Sequence, residues 1–309
     1  MNNTQPTDLP TIGIVGLGIM GSAMAQALIA AGYQVAGYDL VPEACERLRA
    51  WGGQPLADAT QVADASEWVI VSLSTSASLA ESASRIAAAA PRVDGRTRTV
   101  LETSTLPLQD KAGAAQVMQA AGCEVLDCPI SGTAVRLTER AWTVFCSGPR
   151  EACERVRPML QVFTDNLPYV GAFGNGMKMK LAANHLVAIY NVACAESVNF
   201  ARKMGLDPQH VLDLFGASPV IGTGVMRLRV PFMIRREYTP PTMKVEVWQK
   251  DMQVIGDMAR SVDCPTPLFS ACAPIYSAAM AQGLGQHDTA SVSEVLAGMA
   301  GIAPQSSGA

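Results

Sequence analysis

TIGIVGLGIMG, residues 11–21, is a short apolar run that ends in glycines spaced G-x-G-x-x-G and opens directly into an amphipathic segment. The run over 11–16 predicts a buried strand, and the spacing over 20–31 predicts a helix. In that context each glycine has its own task. Gly16 permits the tight turn, Gly18 lets a pyrophosphate approach the backbone, and Gly21 lets helix and strand pack closely. The helix N-terminus then faces the phosphates, with Leu17, Ile19 and Met20 on the same loop. Without a ligand the same glycines would make only a turn.

Working outward, the rhythm of the opening repeats. Apolar runs at 33–39, 68–73 and 99–103 alternate with amphipathic stretches at 42–50, 76–90 and 107–121, and further strands are expected at 124–130 and 142–148. A helix near 150–162 leads into NLPYVG (166–171). Such alternation predicts βαβ units and a parallel sheet, so residues 1–171 are read as an α/β Rossmann dinucleotide-binding domain. Asp39 ends the second apolar run, 18 residues beyond Gly21, followed by Leu40. A carboxylate there can accept both hydroxyls of the adenosine ribose and would repel a 2′-phosphate, which favours NAD over NADP. From Gly176 to about Met204 no proline interrupts a helix-compatible stretch. Residues 172–309 are therefore expected to form a long interdomain helix and an all-α domain, with helices over 207–216, 222–235, 242–263, 267–283 and 288–300. The tail after Ile302 is expected to be disordered.

Composition narrows the function. The 309 residues carry a net charge of -4 without basic clusters, which excludes an electrostatic footprint for nucleic acid or anionic lipid. The hydrophobic fraction of 49% is high, yet no window approaches the roughly 20 uninterrupted apolar residues of a membrane span. That excess points to a buried interface in a homodimer or homotetramer. The opening MNNTQPTDLP lacks a cationic segment before an apolar core, which predicts a cytoplasmic protein without a signal peptide. Eight cysteines without a C-x-x-C pair and three scattered histidines complete no metal-ligand pattern, so reduced thiols and no metal are expected. A small molecule is the expected partner.

GNGMKMKLAANH (174–185) places two lysines in a helix otherwise built of Met, Leu and Ala. Two positions are about 200° apart around a helix, so Lys178 and Lys180 face different surroundings. Lys180 and Asn184 are i and i+4 on one face, with Asn191 two turns further on. A lysine whose pKa is lowered by burial can take a proton from a hydroxyl and return it to an alkoxide, and a carboxamide can hold that oxygen. Spacing alone also allows both lysines to extend into solvent.

Taken together, the motifs resemble the β-hydroxyacid dehydrogenase family, which includes 3-hydroxyisobutyrate dehydrogenase, tartronate semialdehyde reductase and glyoxylate/succinic semialdehyde reductases. GLGIMGSAMA (16–25), ETST (102–105), DCPISG (127–132), GNGMKMKLAAN (174–184) and KDM (250–252) are similar to the family's motifs, in order. The resemblance implies that Lys180 is the general acid/base and Asn184 its assistant. It also implies that Ser131 and Gly132 bind the substrate carboxylate, that Thr105 and Lys250 contact cofactor or substrate, and that Leu73 and Ser74 lie along the cofactor. Asp251 would orient Lys250.

Departures from the pattern bear on the substrate. Thr133 stands where the family commonly has another Gly, LTERAWT (137–143) brings Arg140 and Trp142 to usually small or aliphatic positions, and Ala183 replaces an Asn. Arg136 and Arg140 could bind a second substrate anion or lie solvated on a short surface helix. Trp142 is read as core. The expected reaction is reversible NAD-dependent oxidation of a small β-hydroxyacid to its semialdehyde or keto acid. An NADPH-dependent aldehyde-acid or imine reductase and a non-catalytic dinucleotide-binding protein are the alternatives.

Overall fold

Six parallel strands form the centre of the first part of the molecule in the computed structural model, which describes residues 9–303. The expected tail lies for the most part outside these residues. In chain order the elements are β1 (Ile12–Val15), α1 (Ile19–Ala30), β2 (Val35–Tyr38), α2 (Pro42–Ala50), β3 (Gln54–Pro55), α3 (Ala59–Ala65), β4 (Trp68–Val71), α4 (Ser76–Ala87), β5 (Thr99–Glu102), α5 (Leu108–Ala120) and β6 (Glu124–Asp127). The sheet order is β3-β2-β1-β4-β5-β6, so the chain reverses direction across the sheet between β1 and β4.

Strands β1, β4, β5 and β6 carry apolar residues on both faces because helices cover both. Ile12, Ile14, Ile70, Leu101 and Leu126 join one core cluster, while Val69, Val71, Val100 and Val125 join the other. That is the period-2 alternation of a strand. The unit formed by β3 and α3 has no counterpart among the strands and helices expected from sequence. Its strand is two residues long and includes Pro55, which hides it. A signal for α3 was present, since Asp58 accepts the Gln61 N–H at 2.9 Å while Gln61 reaches back to the Ala57 N–H at 3.3 Å.

The strand expected over 124–130 is broken. Its regular pairing in the parallel sheet ends at Asp127, and after Pro129 the chain forms β7 (Ile130–Ser131), antiparallel to β8 (Thr143–Val144). Asp127 also bridges Ser147. Pro129 has no N–H for a ladder bond, and its carbonyl accepts from Phe145 at 3.1 Å. Thus the expected strand over 142–148 belongs to this small separate sheet. Next come α6 (Arg150–Leu160) and the proline-free helix α7 (Asn175–Lys203).

Two compact units divide within α7, the first ending at Lys180 and the second beginning at Leu181. The second holds α8 (Gln209–Phe215), α9 (Gly224–Arg235), α10 (Val245–Ser261), α11 (Pro267–Ala281) and α12 (Val292–Met299), with no strand among its described residues. It holds a deeply buried ion pair, Arg229–Asp288. Asp288, fully buried, accepts from Arg229 at 2.5 Å and from the Thr242 and Ala290 N–H groups at 2.8 and 2.9 Å. Among the described residues no helix is long and apolar enough to cross a membrane.

Candidate active site

The glycine turn after β1 has the geometry that a dinucleotide requires. Gly16 sits at φ +95°, and a Cβ there would lie 2.2 Å from the Ser72 carbonyl oxygen. A Cβ on Gly21 would lie 1.9 Å from the Gly16 oxygen, so α1 packs on the turn only because that atom is missing. Gly18 is different, because a Cβ there would meet nothing within 4 Å. It is the N-cap of α1 and has no side chain to cap the helix. An open approach to an uncapped helix N-terminus fits a pyrophosphate.

Asp39 fixes the loop from β2. Its Oδ2 accepts the Leu17 N–H at 2.6 Å and its Oδ1 the Val41 N–H at 2.9 Å. Leu17 is buried, whereas Ile19 and Leu40 are 69% and 75% exposed. Two large apolar side chains left in water around the turn fit a flat ring system as their cover. Met20 packs against the core beneath.

After β4 and β5 two more loops come together, where the Leu73 N–H donates to Ser104 Oγ at 2.9 Å. This sets Leu73 and Ser74 beside the segment that carries Thr105.

Following β7, Gly132 lies at φ +144°, and a Cβ there would lie 2.5 Å from Trp142 Cδ1. Trp142 Nε1 donates to the Thr133 carbonyl at 2.8 Å. Trp142 is core as expected, 1% exposed and tilted against Phe163, and it also braces the Ser131–Gly132–Thr133 turn from behind. Thr133 Oγ1 is buried and, among the described residues, has no hydrogen-bond partner. Arg140 faces elsewhere. Its guanidinium donates to the Gln161 carbonyl at 2.9 Å and pairs with Asp165 at 2.8 Å, which caps the C-terminus of α6. This function accounts for its charge without a second substrate anion.

Helix α7 is bolted down at its start. Asp127 Oδ2 accepts the Met177 N–H at 2.7 Å, and Ser147 Oγ accepts the Gly176 N–H at 2.9 Å. A Cβ on Gly176 would lie 2.6 Å from the carbonyl oxygens of Asp127 and Phe145. One turn later the two lysines separate. Lys180 is 8% exposed, whereas Lys178 is in solvent with its Nζ 3.3 Å from Asn175 Oδ1.

In the second unit the buried Asn184 donates from Nδ2 to Asp251 Oδ2 at 2.9 Å, which turns its Oδ1 away from that carboxylate. Lys250 Nζ stands 3.3 Å from Asp251 Oδ1. One carboxylate thus contacts both the amide and the ammonium. Asn191 is a core residue, donating to Tyr276 Oη at 3.0 Å and the Thr289 carbonyl at 2.9 Å.

Sequence reasoning missed Lys111. This side chain is fully buried on α5, and its Nζ lies 2.6 Å from both Glu102 and Asp127 and donates to the Ser104 carbonyl at 2.9 Å. Burial works to lower its pKa, but the two carboxylates outweigh it and hold the group charged, above the ordinary lysine value. The available signal was a lysine on the stripe Lys111, Ala114, Ala115, Met118, the buried face of α5.

Residues 11–171 match the family described as the NAD binding domain of 6-phosphogluconate dehydrogenase, and 174–296 match the NAD-binding domain of NADP-dependent 3-hydroxyisobutyrate dehydrogenase. The chain is 29% identical to an L-threonate dehydrogenase of Cupriavidus necator over 93% of its own length and 96% of the relative's. It is 28% identical to the 2-hydroxy-3-oxopropionate reductase of Escherichia coli, covering 94% and 98%. The solved 3-hydroxyisobutyrate dehydrogenase from Salmonella typhimurium superposes with a TM-score of 0.80 at 26% identity, covering 92% and 99%.

Proposed function

This chain belongs to the β-hydroxyacid dehydrogenase family and acts on CH–OH donors with NAD(P), and from that premise we propose that it interconverts a small β-hydroxyacid and its semialdehyde or keto acid, using NAD, with Lys180 as general acid/base. The observation that carries the reading is the burial of Lys180 on a helix whose first turn is anchored to Asp127, four residues before Ser131. An ammonium is buried only where it has work or partners, and the neighbouring Lys178 shows the ordinary alternative.

Gly16 to Gly21, Asp39, Leu40, Leu73, Ser74 and Thr105 would hold the dinucleotide, which when bound supplies the hydride acceptor or donor. Lys180 takes the proton from the substrate hydroxyl in oxidation and returns it in reduction. Asn184, oriented by Asp251 through its Nδ2, presents Oδ1 as an acceptor one helical turn from Lys180. Ser131 Oγ and the backbone N–H groups at Ser131–Gly132 receive the carboxylate, with Lys250 as a further cation for substrate or cofactor. Thr133 limits the room beside that turn.

Preference for NAD rests on Asp39, whose carboxylate would meet a 2′-phosphate with like charge. We place the protein in the cytosol as a homodimer or homotetramer. The exposed Leu186, Tyr190 and Phe200 of α7, with Met204 just beyond its end, support self-association.

The test is initial-rate measurement of NAD reduction over a panel of small β-hydroxyacids, with and without a second acidic group. Lys180→Ala should lower kcat by about 10²–10⁴-fold while NAD affinity, measured by titration, stays within about threefold. Imine reduction with NADPH and no hydroxyacid turnover would overturn the reading.

A further inference from the structure

The buried Lys111 has no part in the chemistry just described, yet it contacts most of its framework. Through Glu102 it reaches the segment after β5, because Glu102 Oε1 accepts the Ser104 N–H at 2.9 Å and Ser104 Oγ accepts from Leu73 after β4. Through Asp127 it reaches α7, because the carboxylate facing the ammonium at 2.6 Å also accepts the Met177 N–H. Ser147 closes the loop, donating to the Asp127 carbonyl at 3.0 Å while accepting from Gly176.

One cation between two carboxylates leaves the group with a net negative charge in the core. The balance comes from dipoles, chiefly the N–H groups at the positive end of α7. Asp127 is therefore shared between Lys111 and the helix that carries Lys180. Removing the cation leaves two buried carboxylates without their shared partner, and the present position of Asp127 is no longer supported.

We propose that Lys111 is a positioning residue for the redox reaction: through Asp127 it fixes the first turn of α7, and so the place of Lys180 relative to Ser131 and Gly132. The inference rests on the reading of Lys180 as acid/base. It gives Lys111 no contact with substrate.

Lys111→Met alone leaves an unbalanced core, so the informative form is the charge-neutral Lys111→Met/Glu102→Gln, beside Asp127→Asn, which keeps a one-to-one Lys111–Glu102 pair but weakens the tie to α7. In the full-length protein, both should lower kcat by roughly 10²-fold, the loss expected of a displacement near 1 Å, with NAD affinity within about threefold. Amide hydrogen exchange should rise at residues 176–180 more than elsewhere in the first unit, a pattern that a general loss of stability does not produce. Wild-type kcat in either folded variant, or exchange that rises evenly across the unit, would overturn the proposal. Should Lys180→Ala retain full turnover, the acid/base reading falls instead, and the exchange at 176–180 still decides whether Lys111 anchors the helix.

Discussion

Replacing Gly18 by alanine separates the architecture of the glycine turn from its ligand. The backbone there has φ -64° and ψ -165°, which an alanine adopts, and the added methyl would meet no protein atom within 4 Å. The stability change is the balance between a stiffer unfolded chain and a poorer N-cap, about 1 kcal/mol at most in either direction. A thermal melt should move by no more than about 4 °C. On the proposed reading the methyl instead occupies the path by which a pyrophosphate would reach the backbone. Loss of one hydrogen bond to a charged group costs about 1.5–3 kcal/mol, or roughly 10- to 100-fold in Kd. Gly21→Ala is the contrast, since its methyl would meet the Gly16 carbonyl at 1.9 Å, and α1 would have to move off β1. Its melt should fall by several degrees or the protein should not accumulate, as overpacking costs typically 1–3 kcal/mol. Thermal melts and calorimetric titration with NAD read both effects. Wild-type NAD affinity in Gly18→Ala would refute the placement of the pyrophosphate over that residue.

Asp39→Asn should raise the kcat/KM ratio of NADP to NAD by roughly 10-fold, by removing a charge repulsion of about 1 kcal/mol or more; an unchanged ratio in steady-state assays would refute the assignment. Arg140→Ala should leave KM for every acidic substrate within about twofold and cost under about 1 kcal/mol in urea unfolding, because the side chain is a partly exposed helix cap. A tenfold rise in KM for dicarboxylates would restore the anion role. Burial works to raise the Glu294 pKa, but hydrogen bonds from Arg236 and Tyr238 outweigh it and hold the carboxyl below its ordinary 4.5. Its contribution is therefore present above pH 4.5 and lost as the pH falls through the lower folded value. Glu294→Gln should lower the Tm at pH 7 and flatten the acid limb of a Tm-against-pH series, and an acid limb parallel to wild type would refute the linkage.

What could be read in the sequence was local. Gly21 acts on the Gly16 backbone five residues away, and helix periodicity shows that Lys178 and Lys180 face different surroundings, although not which of them is buried. Gly16 already depends on Ser72, just past the neighbouring strand β4. What could not be read depends on contacts between distant segments. Lys111 meets Glu102 and Asp127 only because β5 and β6 lie side by side and α5 packs over them. The break after Asp127 needs Phe145 and Ser147 as partners, some 16 to 20 residues away. Arg140 offered two readings because its cap, at Gln161 and Asp165, is equally remote.

The topology explains why the motifs of the first unit nevertheless lie along one edge of the sheet. In a parallel sheet every strand ends on the same edge, and ligands bind at that edge where the strand order reverses. Here the reversal lies between β1 and β4, and the segments following β1, β4, β5 and β6 are the glycine turn, Leu73–Ser74, Ser104–Thr105 and the approach to Ser131. These strands are also consecutive neighbours in space, so motif order along the chain becomes spatial order along the site. The Lys111 ammonium spans the last two members of that series, and Asp127 hands the constraint on to α7. A loop inserted after any of these strands would therefore alter the site, whereas one at the opposite edge, such as that joining α1 to β2, would alter only the scaffold.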